Sequence, residues 1–271
     1  MSLIAITPPV GQTFARAKAL LKRDETLRAL ETMLGGLEEL QRTNLPGRTR
    51  FEVEVTILEC VQDLNRQPIV REFFEALSHG KNVSIPYKAG EEKKLAGVLG
   101  LVNKGLREKI EQAEENEKQR RLDRKAGLEQ KGLEYLRSGD SPRGKAALRL
   151  LAEEFGQEPG VLAQVGEWLM EAKLYFEAAE ILERAMEEHP KEVKSYTFAT
   201  QCYLELREYQ KAENVYLRVI KQFGKHPRTM LNLAKLYLSW NKKEEAFNAA
   251  LEAWNKDNSL AEAKEIVDKY A

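Results

Sequence analysis

Apolar residues recur at helical intervals through most of this chain, separated by long polar faces, so the pattern predicts amphipathic helices throughout. Over residues 12–42 the apolar set is Phe14, Ala17, Leu20, Leu21, Leu27, Leu30, Leu34, Leu37 and Leu40, with a break expected at Lys22, Arg23 and Asp24. A second pair of helices is predicted over 49–64 and 68–77, with Pro68 at a first helical position and His79 with Gly80 as the stop. Phe51, Val53, Val55 and Ile57 alternate as a strand would. Helix is preferred, because Val55, Leu58, Val61 and Leu64 carry an apolar face on at helical steps for longer than a strand runs. Residues 81–90, which include Pro86 and Gly90, are predicted as loop, and Leu95, Val98, Leu99, Val102, Leu106 and Ile110 beyond them form another helical stripe.

That stripe stops at Ile110. Over residues 111–125 only Ala113 and Leu122 are apolar, among five acidic and five basic side chains. Glu114 with Lys118 and Glu117 with Arg121 stand four residues apart, a spacing that supports an exposed helix. The segment 111–124 is therefore expected to be a charged helical linker, chiefly a solvated spacer, with self-association through it left open.

After the linker the pattern becomes periodic. Ala178, Ala212 and Ala246 recur every 34 residues, and twelve residues before them stand Gly166, Thr200 and Ala234, all small. The same register places Leu169, Tyr203 and Tyr237, then Leu182, Tyr216 and Ala250, then Ala185, Val219 and Ala253, and finally the terminators Pro190, Gly224 and Asn258. One unit contains two short helices: Leu162, Val165, Gly166 and Leu169 mark helix A, and Ala178, Ile181, Leu182 and Ala185 mark helix B. Such a unit cannot bury its apolar face alone and must stack on copies of itself.

The pattern resembles the tetratricopeptide repeat, on the strength of Gly166, Ala178, Ala185 and Pro190 in one unit and Tyr203, Ala212 and Tyr216 in the next. One period upstream, Gly132, Tyr135, Leu148 and Leu151 fit, with Gly144 in place of the alanine. Four units are expected, 125–158, 159–192, 193–226 and 227–260, then a capping helix at 261–271 with Ile266, Val267 and Tyr270 on one side. The fold class expected is all-α: a helical-repeat solenoid over 125–271, the linker 111–124, and an N-terminal helical region over 1–110. Ala17, Leu20 and Ala29 stand at the same relative steps, so the first helix pair is expected to be a divergent relative of the repeat unit.

Composition narrows the function classes. Forty-three basic and 43 acidic side chains cancel, so there is no global field to draw the chain to nucleic acid or anionic lipid. The basic cluster Arg120, Arg121, Arg124 and Lys125 is interleaved with acids and has no aromatics spaced for base stacking, so nucleic acid is not expected as a partner. No signal peptide or membrane span is visible, and a cytoplasmic location is expected. The two cysteines, Cys60 and Cys202, show neither metal nor disulfide spacing and are expected to be small buried residues. Asn82, Val83 and Ser84 make a glycosylation triplet, without meaning in a cytosolic chain.

Catalytic chemistry is scarce. The only histidines are His79, His189 and His226; the first sits at a helix stop, and the other two stand at or beyond helix B ends, where they are expected to complement helix carbonyls. Gly35 and Gly36 interrupt a helix without following a strand, so they make no phosphate cradle. No catalytic, metal or cofactor residue is expected.

The resemblance implies that the A helices line a groove for an extended peptide or helix of another protein. Glu167, Lys194, Gln201, Arg228, Asn232 and Lys235 are the partner-binding candidates, with Lys194, Arg228 and Lys235 as a cationic strip. Of the carboxylate clamp found in some relatives, only Lys235 fits among Thr197, Gln201, Leu231 and Lys235, which argues against a co-chaperone. Trp168, Trp240 and Trp254 are expected to pack between repeats, with Trp240 the most exposed. The function expected is a non-catalytic adaptor or scaffold for a protein or peptide partner, with self-association through the N-terminal or linker helices left open. The alternative is a regulatory or catalytic protein whose N-terminal region binds a small molecule while the repeats recruit substrate.

Overall fold

The computed structural model describes residues 9–77 and 83–270. His79 with Gly80, Asn82 of the triplet, residues 1–8 and Ala271 lie outside the described residues. Among those described, thirteen helices and no strand are found: α1 Pro9–Leu21, α2 Thr26–Arg42, α3 Gly47–Arg66, α4 Pro68–Leu77, α5 Glu92–Arg137, α6 Ser141–Phe155, α7 Val161–Glu171, α8 Tyr175–Glu188, α9 Val193–Glu205, α10 Tyr209–Phe223, α11 Pro227–Ser239, α12 Lys243–Lys256 and α13 Ala261–Tyr270. The chain divides into two compact units, Met1–Gln119 and Arg120–Ala271, with the division inside α5.

In the first unit α1 packs on α2 and on α3. Its core is formed by Phe14, Leu30, Met33, Leu37, Ile57, Leu64, Leu99 and Leu106, all fully buried. The break expected at Lys22–Asp24 is the α1–α2 turn, and the alternating run at 51–57 is helical, within α3. The buried face of α3 differs from the one expected. Val53, Ile57, Cys60, Val61 and Leu64 point inward, whereas Val55 and Leu58 are exposed and Phe51 is 66% exposed, because the contacts of α3 with α1 run through Cys60 and its neighbours. Gly35 and Gly36 also depart from expectation: α2 runs through both without interruption. Gly36 is the place where Phe14 lies against the α2 backbone, since an added Cβ would stand 2.9 Å from Phe14 Cζ. Asn65 ties the loop before α5 to α3, its Oδ1 accepting from Ile85 N (2.8 Å) and its Nδ2 donating to Ile85 O (3.1 Å).

The second unit is a stack of helix pairs: the end of α5 with α6, α7 with α8, α9 with α10, α11 with α12, and α13 as the last layer. Each pair turns in the same way. Lys173 has φ 60°, Arg207 57° and Asn241 60°, and Gly139 has φ 82°, all 34 residues apart. At each of these left-handed residues two hydrogen bonds close the first helix: Lys173 N donates to Met170 O (2.8 Å) and Leu174 N to Leu169 O (2.9 Å), with the same pairing at the other three. This ending satisfies carbonyls that the helix leaves unpaired, and the next residue starts the second helix. Asp24 in the α1–α2 turn has φ 59°, and Asp24 N and Glu25 N donate to Leu21 O and Leu20 O in the same pattern.

Small residues let the two helices of a pair approach. An added Cβ at Gly132 would stand 2.7 Å from Leu148 Cδ2, and one at Gly166 would stand 2.5 Å from Leu182 Cδ2. Those pairs are one period apart. Tyr203 and Tyr237 donate their hydroxyls to a carboxylate on the preceding helix B, Glu183 at 3.0 Å and Glu213 at 2.7 Å. Charged partners also join successive second helices, with Lys145 to Glu177 at 2.6 Å and Arg218 to Glu183 at 2.6 Å.

Segment 111–124 is interior to α5, and its last residues belong to the second unit. Arg121 and Lys125 pair with Glu158 at 2.9 and 2.6 Å, and Arg124 pairs with Glu154 at 2.8 Å. Three of the four members of the basic cluster are thereby neutralised within the stack. His189 Nε2 lies 2.9 Å from Gly156 O, so this histidine complements the carbonyl at the end of α6. His226 instead occupies the N-cap position of α11, without a side-chain capping bond, because α11 begins directly at Pro227.

Candidate functional site

α7 packs directly on α9, α10 packs on both α9 and α11, and the 34-residue register gives the first helices equivalent faces. Four residues of each helix, at steps of i, i+4, i+7 and i+11, lie along one line of that face. In α9 they are Lys194, Phe198, Gln201 and Glu205; in α11 they are Arg228, Asn232, Lys235 and Ser239. One period earlier stand Gly160, Gln164, Glu167 and Glu171, and before those Ala126, Gln130, Leu133 and Arg137. The result is a four-by-four grid. All six sequence-derived candidates fall on it: Glu167, Lys194, Gln201, Arg228, Asn232 and Lys235.

Their surroundings differ. Lys194, Gln201, Arg228, Asn232 and Lys235 are exposed, while Glu167 is half-buried and accepts from Gln164 Nε2 at 2.9 Å. Lys235 forms an ion pair with Glu262 at the start of α13, so one member of the cationic strip has an internal partner. Arg228 contributes to holding the Asp257 carboxyl below its ordinary range, after the larger effect of the hydrogen bonds from Ser259. Lys194 has no ion-pair partner among the described residues. Of the clamp positions, Leu231 is buried in the core.

Sequence reasoning missed Phe198, Glu171 and Glu205, which stand among the remaining grid positions. The signal was present: counting i+4 and i+11 from Lys194 reaches Phe198 and Glu205, and one period back from Glu205 is Glu171. A further apolar row borders the grid, formed by Leu136, Met170, Leu204 and Leu238, one period apart, each half-buried against the core. At the first column lies an open depression of about 820 Å³ lined by residues including Gln130, Leu133 and Arg137.

The tryptophans pack between repeats. Trp168 and Trp254 lie partly buried against the core of the stack. Trp240 stacks on Tyr209 of the preceding pair at 6.1 Å, with Lys242 Nζ 3.5 Å from its ring centre. A separate cleft of about 690 Å³ lies between α6 and α8, and includes Phe176, which is 58% exposed. Lys145–Glu177 and Arg149–Glu180 ion pairs stand among its lining residues.

The surface presents fixed charges, amides and half-buried apolar groups. Among the described residues no group of three or more His, Cys, Asp or Glu side chains is placed to hold a metal ion. No described helix is long and apolar enough to cross a membrane. Burial pushes the Cys60 thiol up to about 12 and the Cys202 thiol up to about 11.

No curated protein matches the chain. Among solved structures, the crystal structure of MamA protein aligns with a TM-score of 0.42 and 16% identity, over 54% of this chain and 79% of the other. MamA 41-end from Desulfovibrio magneticus RS-1 aligns with a TM-score of 0.41 and 18% identity, over 54% and 82%. Residues 169–228 match the family model described as tetratricopeptide repeat. That match lies inside a stack of helix pairs whose left-handed turns recur every 34 residues from Gly139 to Asn241, so the period of the matched segment continues on both sides of it.

Proposed function

We propose that the chain is a non-catalytic adaptor whose repeat array holds a peptide or helix of a partner protein against the outer faces of α7, α9 and α11. The observation that carries this reading is the grid itself. On α9 and α11 every grid side chain except Phe198 is exposed, so charges and amides stand beside Phe198 and a bordering apolar row, which pack against the core. Interfaces of this composition bind through a few apolar anchors and use charge for orientation and rate. A cytoplasmic location agrees with this role, as does self-association through the N-terminal helices, where Phe51, Val55 and Leu58 are exposed along one side of α3.

The test is quantitative capture of partner from native lysate by the full chain and by a Lys194→Glu, Arg228→Glu, Lys235→Glu variant. Partner retained by the parent should fall at least about tenfold, an effect of order 1.4 kcal/mol. Far-ultraviolet circular dichroism should not change. Retention of full affinity by the variant would remove the cationic strip from the binding surface.

A further inference from the structure

On α7, α9 and α11 the charges nearest the helix ends are placed against the helix dipole, while α5 contributes Arg137, a base at its own C-terminal end, to the same edge as Glu171 and Glu205. Lys194 and Arg228 are the second residues of α9 and α11, and Glu171 and Glu205 are the last residues of α7 and α9. A helix favours anions at its start and cations at its end. None of α7, α9 and α11 has an acid in its first turn or a base in its last. Elsewhere in the array some charges placed against the dipole have partners, Arg143 with Asp140, Lys211 with Glu208 and Glu188 with Arg184, whereas Lys243 at the start of α12 has no ion pair among the described residues. Lys194, Glu171 and Glu205 have no ion pair among the described residues.

The two rows stand on opposite edges of the surface. Lys194 and Glu205 are separated by eleven residues of one helix, about 16 Å at 1.5 Å per residue. A helix of about 10–12 Å diameter fills the space between the rows and reaches both, whereas a single extended strand reaches one row at a time. Between the rows lie Phe198 and, beside the acidic edge, Met170, Leu204 and Leu238, all half-buried. This is the complement of a helix with one apolar stripe.

We infer that the occupant of this surface is an amphipathic helix with an acidic flank and a basic flank, held in a single direction. The inference rests on the A-helix face being the binding surface. The acidic flank faces Lys194 and Arg228, and the basic flank faces Glu171 and Glu205. Turning such a helix end for end with its apolar stripe kept on the surface exchanges the two flanks and places like charges together. Direction is thus selected by repulsion as well as attraction.

The experiment is display selection of random peptides of about 18 residues, five helical turns, on the intact chain. It is repeated on a charge-exchanged variant, Lys194→Glu, Arg228→Glu, Glu171→Lys and Glu205→Lys, and on a blocked variant, Gln201→Trp with Asn232→Trp. The enriched peptides should carry an apolar stripe with acids on one flank and bases on the other. They should lose at least tenfold in affinity on the charge-exchanged chain, which should melt at the same or a higher temperature because its helix ends now suit the dipole. Peptides that the blocked variant loses but that show no flank asymmetry would overturn this inference and leave the adaptor reading standing. Peptides indifferent to the blocked variant, or no enrichment at all, would overturn both.

Discussion

Gly166 on α7 and Leu182 on α8 touch so closely that a Cβ on the glycine would stand 2.5 Å from the leucine Cγ and Cδ2. The same pair stands one period earlier as Gly132 and Leu148, so the approach of the two helices is set by a missing methyl group facing a large side chain. Leu148 and Leu182 are fully buried and cannot swing aside into solvent.

From this contact follows a change of sign between two backgrounds. Gly166→Ala alone gains roughly 1 kcal/mol of helix propensity but overpacks a filled site, which costs about 1–3 kcal/mol, so it should destabilise. Leu182→Ala alone should cost about 2–5 kcal/mol. In the Leu182→Ala chain, Gly166→Ala should instead stabilise. A double-mutant cycle by urea denaturation measures the coupling, and additive effects would show that the two residues do not define the approach.

The turns give a second expectation. Lys173 and Arg207 hold left-handed backbone that costs a residue with a Cβ roughly 1–2 kcal/mol. Lys173→Gly and Arg207→Gly should each stabilise the array, less the extra entropy of the unfolded glycine, by a few tenths to about 1 kcal/mol. Gly139→Ala, at φ 82°, should destabilise by a similar amount. Midpoints of chemical denaturation for the three variants test the sign at each site.

Acid should weaken the array through its ion pairs. Hydrogen bonds from Lys125, then Arg121, hold Glu158 below its ordinary 4.5; the Arg124 hydrogen bond does so for Glu154, and the Lys145 hydrogen bond for Glu177. A carboxyl whose value is lower in the folded state contributes stability that is present above the unfolded value and lost as pH falls through the folded one. The denaturation midpoint should therefore decline below about pH 4.5, and the decline should be shallower in Glu158→Gln and in high salt. All three carboxyls keep contact with solvent, which screens their pairs, so the effect is modest. An unchanged acid slope in Glu158→Gln would assign the decline to other groups.

The thiols report on the two units separately. Cys60 and Cys202 are fully buried, and burial raises them from 9.0 to about 12 and about 11. Both should be inert to a thiol-specific disulfide reagent at pH 8 and reactive once unfolded, since the thiolate is the nucleophile. Cys60 then times the opening of the first unit and Cys202 that of the second. Rapid labelling of the native chain at either position would contradict the packing described.

The repeat register was legible because stacking imposes the same size demand at every period. Ala178, Ala212 and Ala246 are each completely buried, and each had been marked by its spacing alone. The break at Lys22–Asp24 and the helix across Phe51–Ile57 were legible for a similar reason, as apolar spacing reports which residues share a face. The orientation of that face was less so. Val55 and Leu58 read as core and are exposed, because periodicity says that residues lie together and not which neighbour they meet. Glu167, Lys194, Gln201, Arg228, Asn232 and Lys235 were named from the register, while Phe198, Glu171 and Glu205, on the same helix lines, were not.

The sequence alone determined the 34-residue register, the pairing of helices and the small-residue positions, because these are local demands of helix geometry repeated along one chain. It determined, too, that no cluster of cysteines and histidines stands at metal-binding spacing. Only the tertiary structure decided which charges already have partners. Arg121, Arg124 and Lys125 looked like a basic cluster and are paired with Glu154 and Glu158, and Lys235 is joined to Glu262, across separations of about thirty residues. Lys194 and Glu205 were left exposed on opposite edges of one helix face. A charge carries the same symbol in the sequence whether it is neutralised or presented, and the packing of neighbouring repeats determines which of the two it becomes.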